Sequence, residues 1–337
     1  MQWVTLGSTG LRVSRNGFGA LPIQRVDRAA AVRLLRKAFD HGITYFDTAR
    51  SYTDSEEKIG AAFTPAMRER IVISTKTMSR DAAGFWADLH ESLRLMGTDY
   101  VDIYQFHTPP FCPKPGDGSG LYEAALEARR QGKIRHIGLT NHRLSVAREA
   151  IESGLYATLQ YPFSYLATEA EEALVSLCGE RDMGFIAMKG LAGGLITHAA
   201  AAYAFMAQYG HVAPIWGVQH EWELDQFLAC QDAPPALDGA LRAVIEKDRA
   251  ELMGDFCRGC GYCMPCPEEI TINQCARMSL MLRRAPSEAW LSETWQAEMR
   301  KIERCRQCGQ CRKQCPYGLD TPALLKKNLE DYRRRLK

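Results

Sequence analysis

Short apolar runs in this chain end, one after another, on a chemically distinctive residue, and their spacing limits the fold more than any other feature. Asp47, Lys76, His107 and Asn141 follow one another at intervals of 29, 31 and 34 residues, and Met188 comes 28 residues after Gln160. Runs such as Ile71-Val-Ile-Ser-Thr-Lys76 and Tyr100-Val-Asp-Ile-Tyr-Gln-Phe-His107 read as strands, and a stretch of helical periodicity follows each. Apolar strands alternating with amphipathic helices imply a parallel sheet. Strands are expected near 16–20, 43–47, 71–76, 100–106, 134–139, 158–161, 184–188 and 212–216. The first helix is capped by Asp27 and the last falls near 221–229. Eight such units suit a closed (β/α)8 barrel, an α/β fold of about 250 residues. An open doubly wound sheet is the alternative, but no Gly-x-Gly-x-x-Gly opens a helix after the first strand. Residues 1 to about 14 read as a small hairpin turning at Gly7-Ser-Thr-Gly10.

The strand ends bring four ionisable residues to one rim. Asp47 closes its strand and Tyr52 follows on a short loop; Lys76 and His107 close the next two strands. A phenol, with an ordinary pKa of about 10, is a poor acid at neutral pH, and a neighbouring ammonium is expected to lower that value. A buried carboxylate would keep the ammonium charged. Asp47, Lys76 and Tyr52 then form a relay ending in an acid that protonates a carbonyl oxygen, with His107 donating a hydrogen bond to the same oxygen. General acid catalysis of this kind contributes about 10²–10⁴-fold.

Leu6-Gly-Ser-Thr-Gly-Leu-Arg-Val-Ser14 and Phe46-Asp47-Thr-Ala-Arg-Ser-Tyr52, together with Lys76 and His107, resemble the aldo-keto reductase family over about residues 3 to 230. The resemblance implies NAD(P)-dependent reduction of a carbonyl, or the reverse oxidation of an alcohol, with Tyr52 as the acid. It also implies a cofactor site. Thr140 and Asn141 of Ile137-Gly-Leu-Thr-Asn141, with Gln160, match the positions that hold the nicotinamide carboxamide. Met188 falls where many members stack a tyrosine on the ring, and a thioether packs there less rigidly. Leu191, Ala192 and Gly193 match the loop that contacts the pyrophosphate. Gly217 and Glu223 fall in Pro214-Ile-Trp-Gly-Val-Gln-His-Glu-Trp-Glu223, where NADP-specific members carry Lys or Arg. A carboxylate there would repel a 2′-phosphate and accept from a ribose hydroxyl, which favours NAD(H) over NADP(H).

Nine of the twelve cysteines follow position 250, so a second domain, 251–337, is expected after a barrel domain of 1–250. Cys305-Arg-Gln-Cys308-Gly-Gln-Cys311-Arg-Lys-Gln-Cys315-Pro316 fits the bacterial iron–sulfur pattern C-x2-C-x2-C-x3-C-P, whose last cysteine commonly serves the other cluster. Cys257-Arg-Gly-Cys260-Gly-Tyr-Cys263-Met-Pro-Cys266 is one residue short of it. On that logic one [4Fe–4S] cluster takes Cys257, Cys260, Cys263 and Cys315, and the other takes Cys305, Cys308, Cys311 and Cys266. Structural zinc is the alternative, although its usual knuckles are two separated C-x2-C pairs. Residues 267–304 read as helical, and the whole resembles a helical two-cluster ferredoxin domain. Cys275 lies outside both runs and reads as core.

Charge divides at the same place. Residues 251–337 carry 16 Lys+Arg against 11 Asp+Glu, and the remainder 26 against 29. The basic surplus offsets the roughly −4 of two oxidised clusters with eight thiolates, so no nucleic-acid partner is invoked. No apolar run approaches the roughly 20 residues of a membrane helix, and Met1-Gln-Trp-Val-Thr-Leu-Gly7 lacks a signal-peptide pattern. The expected setting is therefore a reducing cytoplasm with no membrane partner. Hydride carries two electrons and each cluster passes one, so an alternative function remains open. In it the protein passes electrons between a barrel-bound flavin or substrate and an external ferredoxin-like partner. The segment from Thr108 to Gly120, rich in Pro and Gly, is expected to be a mobile pocket wall, with Phe18, Trp86 and Trp216 as candidate apolar lining.

Overall fold

The computed structural model describes residues 2–252, 256–284 and 287–336. Contacts divide the chain into two compact units, 1–190 with 199–238, and 191–198 with 239–337.

The first unit is a closed parallel barrel of eight strands. A two-stranded hairpin, β1 (Trp3–Thr5) and β2 (Arg12–Ser14), precedes it. The barrel strands are β3 (Gly17–Gly19), β4 (Tyr45–Asp47), β5 (Val72–Thr77), β6 (Val101–His107), β7 (Ile134–Thr140), β8 (Thr158–Pro162), β9 (Gly184–Met188) and β10 (Val212–Gly217). They pair in sequence order, and β10 closes on β3. A helix follows each strand, from Arg28–Asp40 to Glu221–Asp232. The first is started by Asp27, whose carboxylate accepts from Ala30 N at 2.8 Å, as its capping chemistry predicts.

Side chains in a strand alternate between faces, and that alternation builds the core. Tyr45, Ile103, Ile186, Ala213 and Ile215 pack with Val4, Leu6 and Val13 of the hairpin, which fill the lower end of the barrel. Gly7 makes this approach feasible. Its φ is +49°, and a Cβ there would fall 2.3 Å from the Asp182 carbonyl oxygen. Among the described residues no helix is long and apolar enough to cross a membrane.

The second unit is helical, with Gly239–Leu252, Ile272–Cys275, Met278–Arg284, Glu293–Arg300, Gln310–Gln314 and Thr321–Arg335. Ile270, Ile272, Cys275, Met278, Met299, Leu325, Leu329 and Tyr332 make its core, with Leu282, Trp290 and Trp295 packed against it. The helical periodicity read between the cysteine runs therefore marks the face that is buried. Cys275 is fully buried in that core, and burial pushes its thiol up to about 12.

Candidate active site and cysteine site

Asp47, His107, Thr140, Met188 and Gly217 are the last residues of β4, β6, β7, β9 and β10, and Lys76 is the last but one of β5. Parallel strands in a closed barrel carry all these ends to one rim, the one where barrel enzymes place their chemistry. Tyr52 sits on the loop after β4. That loop keeps the sheet's pairing beyond the strand, with Thr48 N donating to Ser74 O and Arg50 N to Lys76 O.

Asp47 and Lys76 are both buried, and Lys76 Nζ lies 2.7 Å from each oxygen of the Asp47 carboxylate and 2.5 Å from Thr48 O. The Tyr52 ring lies 5.3 Å from that ammonium, and its centroid is 5.8 Å from that of His107, edge-on. All four residues picked from the strand ends are therefore neighbours.

Their electrostatics differ from expectation in one respect. The Tyr52 phenol is pushed up from its ordinary value, by burial first and by the Asp47 charge second. The expected lowering by an adjacent ammonium does not appear because Asp47 neutralises Lys76 at contact distance, leaving little positive field at the phenol. Burial likewise depresses the Lys76 ammonium, against the opposing pull of Asp47. His107 is driven down to about 3, by burial and then by the charges of Lys76, Arg80 and Lys189, so its imidazole is neutral at neutral pH.

Three residues of this network are absent from the sequence reading. Ser74 Oγ donates to Asp47 Oδ2 at 2.6 Å. Gln105 Nε2 donates to Gln160 Oε1 at 2.7 Å, and Gln160 Nε2 to Asp47 Oδ1 at 3.3 Å. Glu56, buried, accepts from Thr75 Oγ1 at 2.6 Å and pairs with Arg50. The signal for two of them was present: Ser74 and Gln105 each precede a rim residue by two positions and so share its inward face.

The buried pair sets up a stability prediction. Lys76→Met leaves a carboxylate buried without its cation, a change that typically costs about 3–5 kcal/mol. Asp47→Asn in the same chain should recover most of that loss. Denaturant titrations read by amide exchange in β4 and β5 check this, and equal stability of the single and double variants would contradict it.

The expected cofactor residues fall in three places. Thr140 pairs with Gln160 across β7 and β8, and Thr140 Oγ1 lies 3.9 Å from Met188 Sδ. Thr140, Asn141 and Gln160 thus present neutral hydroxyl and amide groups on adjacent strand ends, the donor and acceptor set that a carboxamide requires. Asn141 also holds the loop after β6, through Nδ2 to Pro109 O at 2.8 Å. Tyr156 OH donates to Pro113 O, and Cys112 is buried. The expected mobile wall is therefore anchored along its first half. Glu223 Oε2 accepts from Gln219 N and His220 N at the start of its helix, and Gly217 ends β10 beside Pro22. Leu191 and Gly193 belong to the second unit. Trp216 is core rather than pocket wall: it stacks on Phe227 at 4.3 Å, and its Nε1 donates to Asn16 Oδ1. Phe18 is likewise buried, against Phe46.

In the second unit, Cys263, Cys266, Cys305, Cys308 and Cys311 line one cavity of about 110 Å³. Pro265, Pro267, Ile270 and Leu325 complete an apolar wall. Cys257 lies within electrostatic reach of Cys260 and Cys315, and Cys263 of Cys257, Cys260 and Cys311. Gly259 N donates to Cys257 Sγ at 3.4 Å, a contact of the type that tunes cluster potential. Thiols gathered around an apolar void suit an iron–sulfur cluster; Cys266 lies there with the second run, and Cys315 lies within electrostatic reach of Cys257. Among the described residues no three His, Cys, Asp or Glu side chains converge on a single-ion site.

Comparison with known proteins places this geometry. Residues 15–208 match the model of the aldo/keto reductase family, and residues 256–320 that of a 4Fe–4S dicluster domain. An aldo-keto reductase of Bacillus subtilis is 29% identical over 216 residues, covering 58% of this chain and 64% of the relative, so the chain spans under two thirds of that protein. An NADH-specific methylglyoxal reductase of Escherichia coli is 28% identical over 235 residues, covering 58% of this chain and 71% of the relative. An aldo-keto reductase from Bacillus halodurans, solved in its holo form, superposes with a TM-score of 0.65 over 76% of this chain and 98% of that one, at 22% identity. With its barrel and more than half its length matched by the family model, the chain belongs to the aldo/keto reductase family and carries a 4Fe–4S dicluster domain in its C-terminal region.

Proposed function

We propose that this protein is a nicotinamide-dependent oxidoreductase that interconverts a small carbonyl compound and its alcohol, with Tyr52 as proton donor. The observation that carries the reading is Lys76 Nζ, held 2.7 Å from both Asp47 oxygens and 5.3 Å from the Tyr52 ring. Thr140, Asn141 and Gln160 would hold the carboxamide, Met188 would pack on the ring, and Leu191 with Gly193 would contact the pyrophosphate. Bound there, the dinucleotide supplies the hydride. Tyr52 gives its hydroxyl proton to the substrate oxygen, and neutral His107 donates a hydrogen bond to the same atom.

NAD(H) is our preferred dinucleotide. A relative named an NADH-specific methylglyoxal reductase supports the choice, as does Glu223 in place of a cation. A panel of carbonyls and alcohols with NADH and NADPH, on anaerobically purified protein, tests the reading; no turnover with any of them would remove it.

The pH profile tests the acid. Tyr52 is raised and His107 lowered, so both stay in the form that reduction needs across neutral pH. Expected is a flat kcat/KM for reduction from about pH 6 to 9, whereas alcohol oxidation, which needs the phenolate, climbs about tenfold per pH unit. A step near 6.5 in the reduction profile would show a titrating imidazole instead.

The eight paired cysteines would hold two [4Fe–4S] clusters, which supply one-electron steps when bound. Their need for reduced thiols supports a cytoplasmic setting. One observation favours a second reading in which electrons leave the protein: Cys308 is exposed, whereas the other seven are buried or half-buried. A ferredoxin-like partner would meet the cluster at that thiol. Reduction of the clusters by NADH alone would support this reading, and clusters inert to NADH would leave them a structural role. Absorbance spectra distinguish flavin from cluster bands.

A further inference from the structure

Arg277 is 5% exposed, and among the described residues no carboxylate pairs with it. A buried cation without a counter-ion is costly, because desolvation is not repaid by attraction. Its surroundings show where the repayment comes from. A Cβ added at Gly259 would fall 2.4 Å from Nη1, and one at Gly193 would fall 2.8 Å from it. Both glycines are left-handed, at φ +66° and +67°. The guanidinium is therefore wedged between the first cysteine run and the loop that begins at Leu191, in a slot that exists only because both positions lack a side chain.

On the loop side, Nη2 donates to Gly193 O at 2.8 Å and to Ala192 O at 3.3 Å. Ala192 itself has φ +48°, a conformation that non-glycine residues keep only when their surroundings impose it. On the cysteine side, the guanidinium occupies the space beside Gly259, whose N–H donates to Cys257 Sγ at 3.4 Å, so the charge sits next to the Cys257 turn. Its Nε has no partner among the described residues.

We propose that Arg277 is a positioning residue that takes its counter-charge from the thiolate-held cluster at Cys257 and uses its hydrogen bonds to hold the 191–194 loop. The step from loop to activity rests on the reading above, in which Leu191 and Gly193 contact the pyrophosphate. Cluster assembly thereby sets the order of a dinucleotide-binding loop, and both parts of the connection lie in the second unit. A planar fork suits this task, because it serves two carbonyls and one thiolate at once, which an ammonium does not.

The test compares Arg277→Met and Arg277→Lys with the wild type, using anaerobic protein of matched iron content. Three quantities are read: amide exchange at Gly194 and Ile196, whose N–H groups both donate to Leu191 O; the cluster midpoint potential; and dinucleotide affinity. In Arg277→Met, exchange is expected to quicken and affinity to weaken by about tenfold or more, since two charge-assisted hydrogen bonds are lost. The potential should become more negative, because a cation that favours the added electron is gone. Arg277→Lys should restore the potential while recovering only part of the loop's protection. Unchanged exchange in Arg277→Met overturns the proposal, and so does faster exchange at an unchanged potential, which a merely packing role would give. Faster exchange and a shifted potential with wild-type dinucleotide affinity would uphold the clamp and overturn the pyrophosphate reading instead.

Discussion

Tyr52→Phe should reduce carbonyl turnover by about 10²–10⁴-fold while leaving dinucleotide affinity and thermal stability near wild type. The size follows from what the hydroxyl does and what the ring does not. The ring supplies the contact with Lys76 and the edge-on packing with His107, and phenylalanine keeps both. The oxygen is the one atom removed, and in the proposed reaction it is the proton source for the developing alkoxide. Lys76 is engaged with Asp47 and Thr48, and His107, driven down to about 3, carries no proton to give up beyond its neutral N–H. Steady-state rates with a reactive aldehyde, beside fluorescence titration of the dinucleotide, check the prediction. Turnover within a few-fold of wild type would take the proton-donor role away from Tyr52. Loss of dinucleotide binding would instead mean that the ring shapes the cofactor pocket.

How far this site could be read from the sequence depended on position within the strands. The strand ends were legible, since Asp47, Lys76 and His107 interrupt apolar runs where a strand meets its loop. Ser74 and Gln105 were not read, because each sits inside its strand and counts as an ordinary interruption until a partner on another strand is known. The Gln105–Gln160 bond joins residues 55 apart, and no local pattern records such a distance. The sign of the Tyr52 shift failed for a similar reason. Sequence places an ammonium near a phenol, but the net field depends on whether a carboxylate sits at 2.7 Å or at 6 Å from that ammonium. The loop from Leu191 was read as part of the barrel because it follows β9, yet its contacts belong to the second unit. Its anchor, Arg277, lies 84 residues beyond Gly193. The cysteine runs were the opposite case: their spacing alone pointed to an iron–sulfur domain, which the dicluster match over residues 256–320 bears out, and the fold brings Cys266 beside the second run.

That crossing gives the other large effect. Cys266→Ala should remove the cluster bounded by Cys305, Cys308 and Cys311, although Cys266 lies in the first run. Cys315→Ala should remove the cluster bounded by Cys257, Cys260 and Cys263. Each variant is expected to lose about half its iron and sulfide, since one four-iron cluster of two is gone, and Cys308→Ala should match Cys266→Ala. The geometry behind this is the shared cavity, which Cys266 lines together with Cys263 and with three thiols some forty residues further on. Without a cluster its apolar wall closes on empty space, so amide protection of the Thr321–Arg335 helix, whose Leu325 lines the same cavity, should fall as well. Cys315→Ala should spare that helix more and act chiefly on the side of Cys257. Iron, sulfide and low-temperature EPR of the dithionite-reduced variants distinguish the two losses. If Cys266→Ala and Cys260→Ala removed the same cluster, each run would be ligating its own cubane, and the crossed assignment would be wrong.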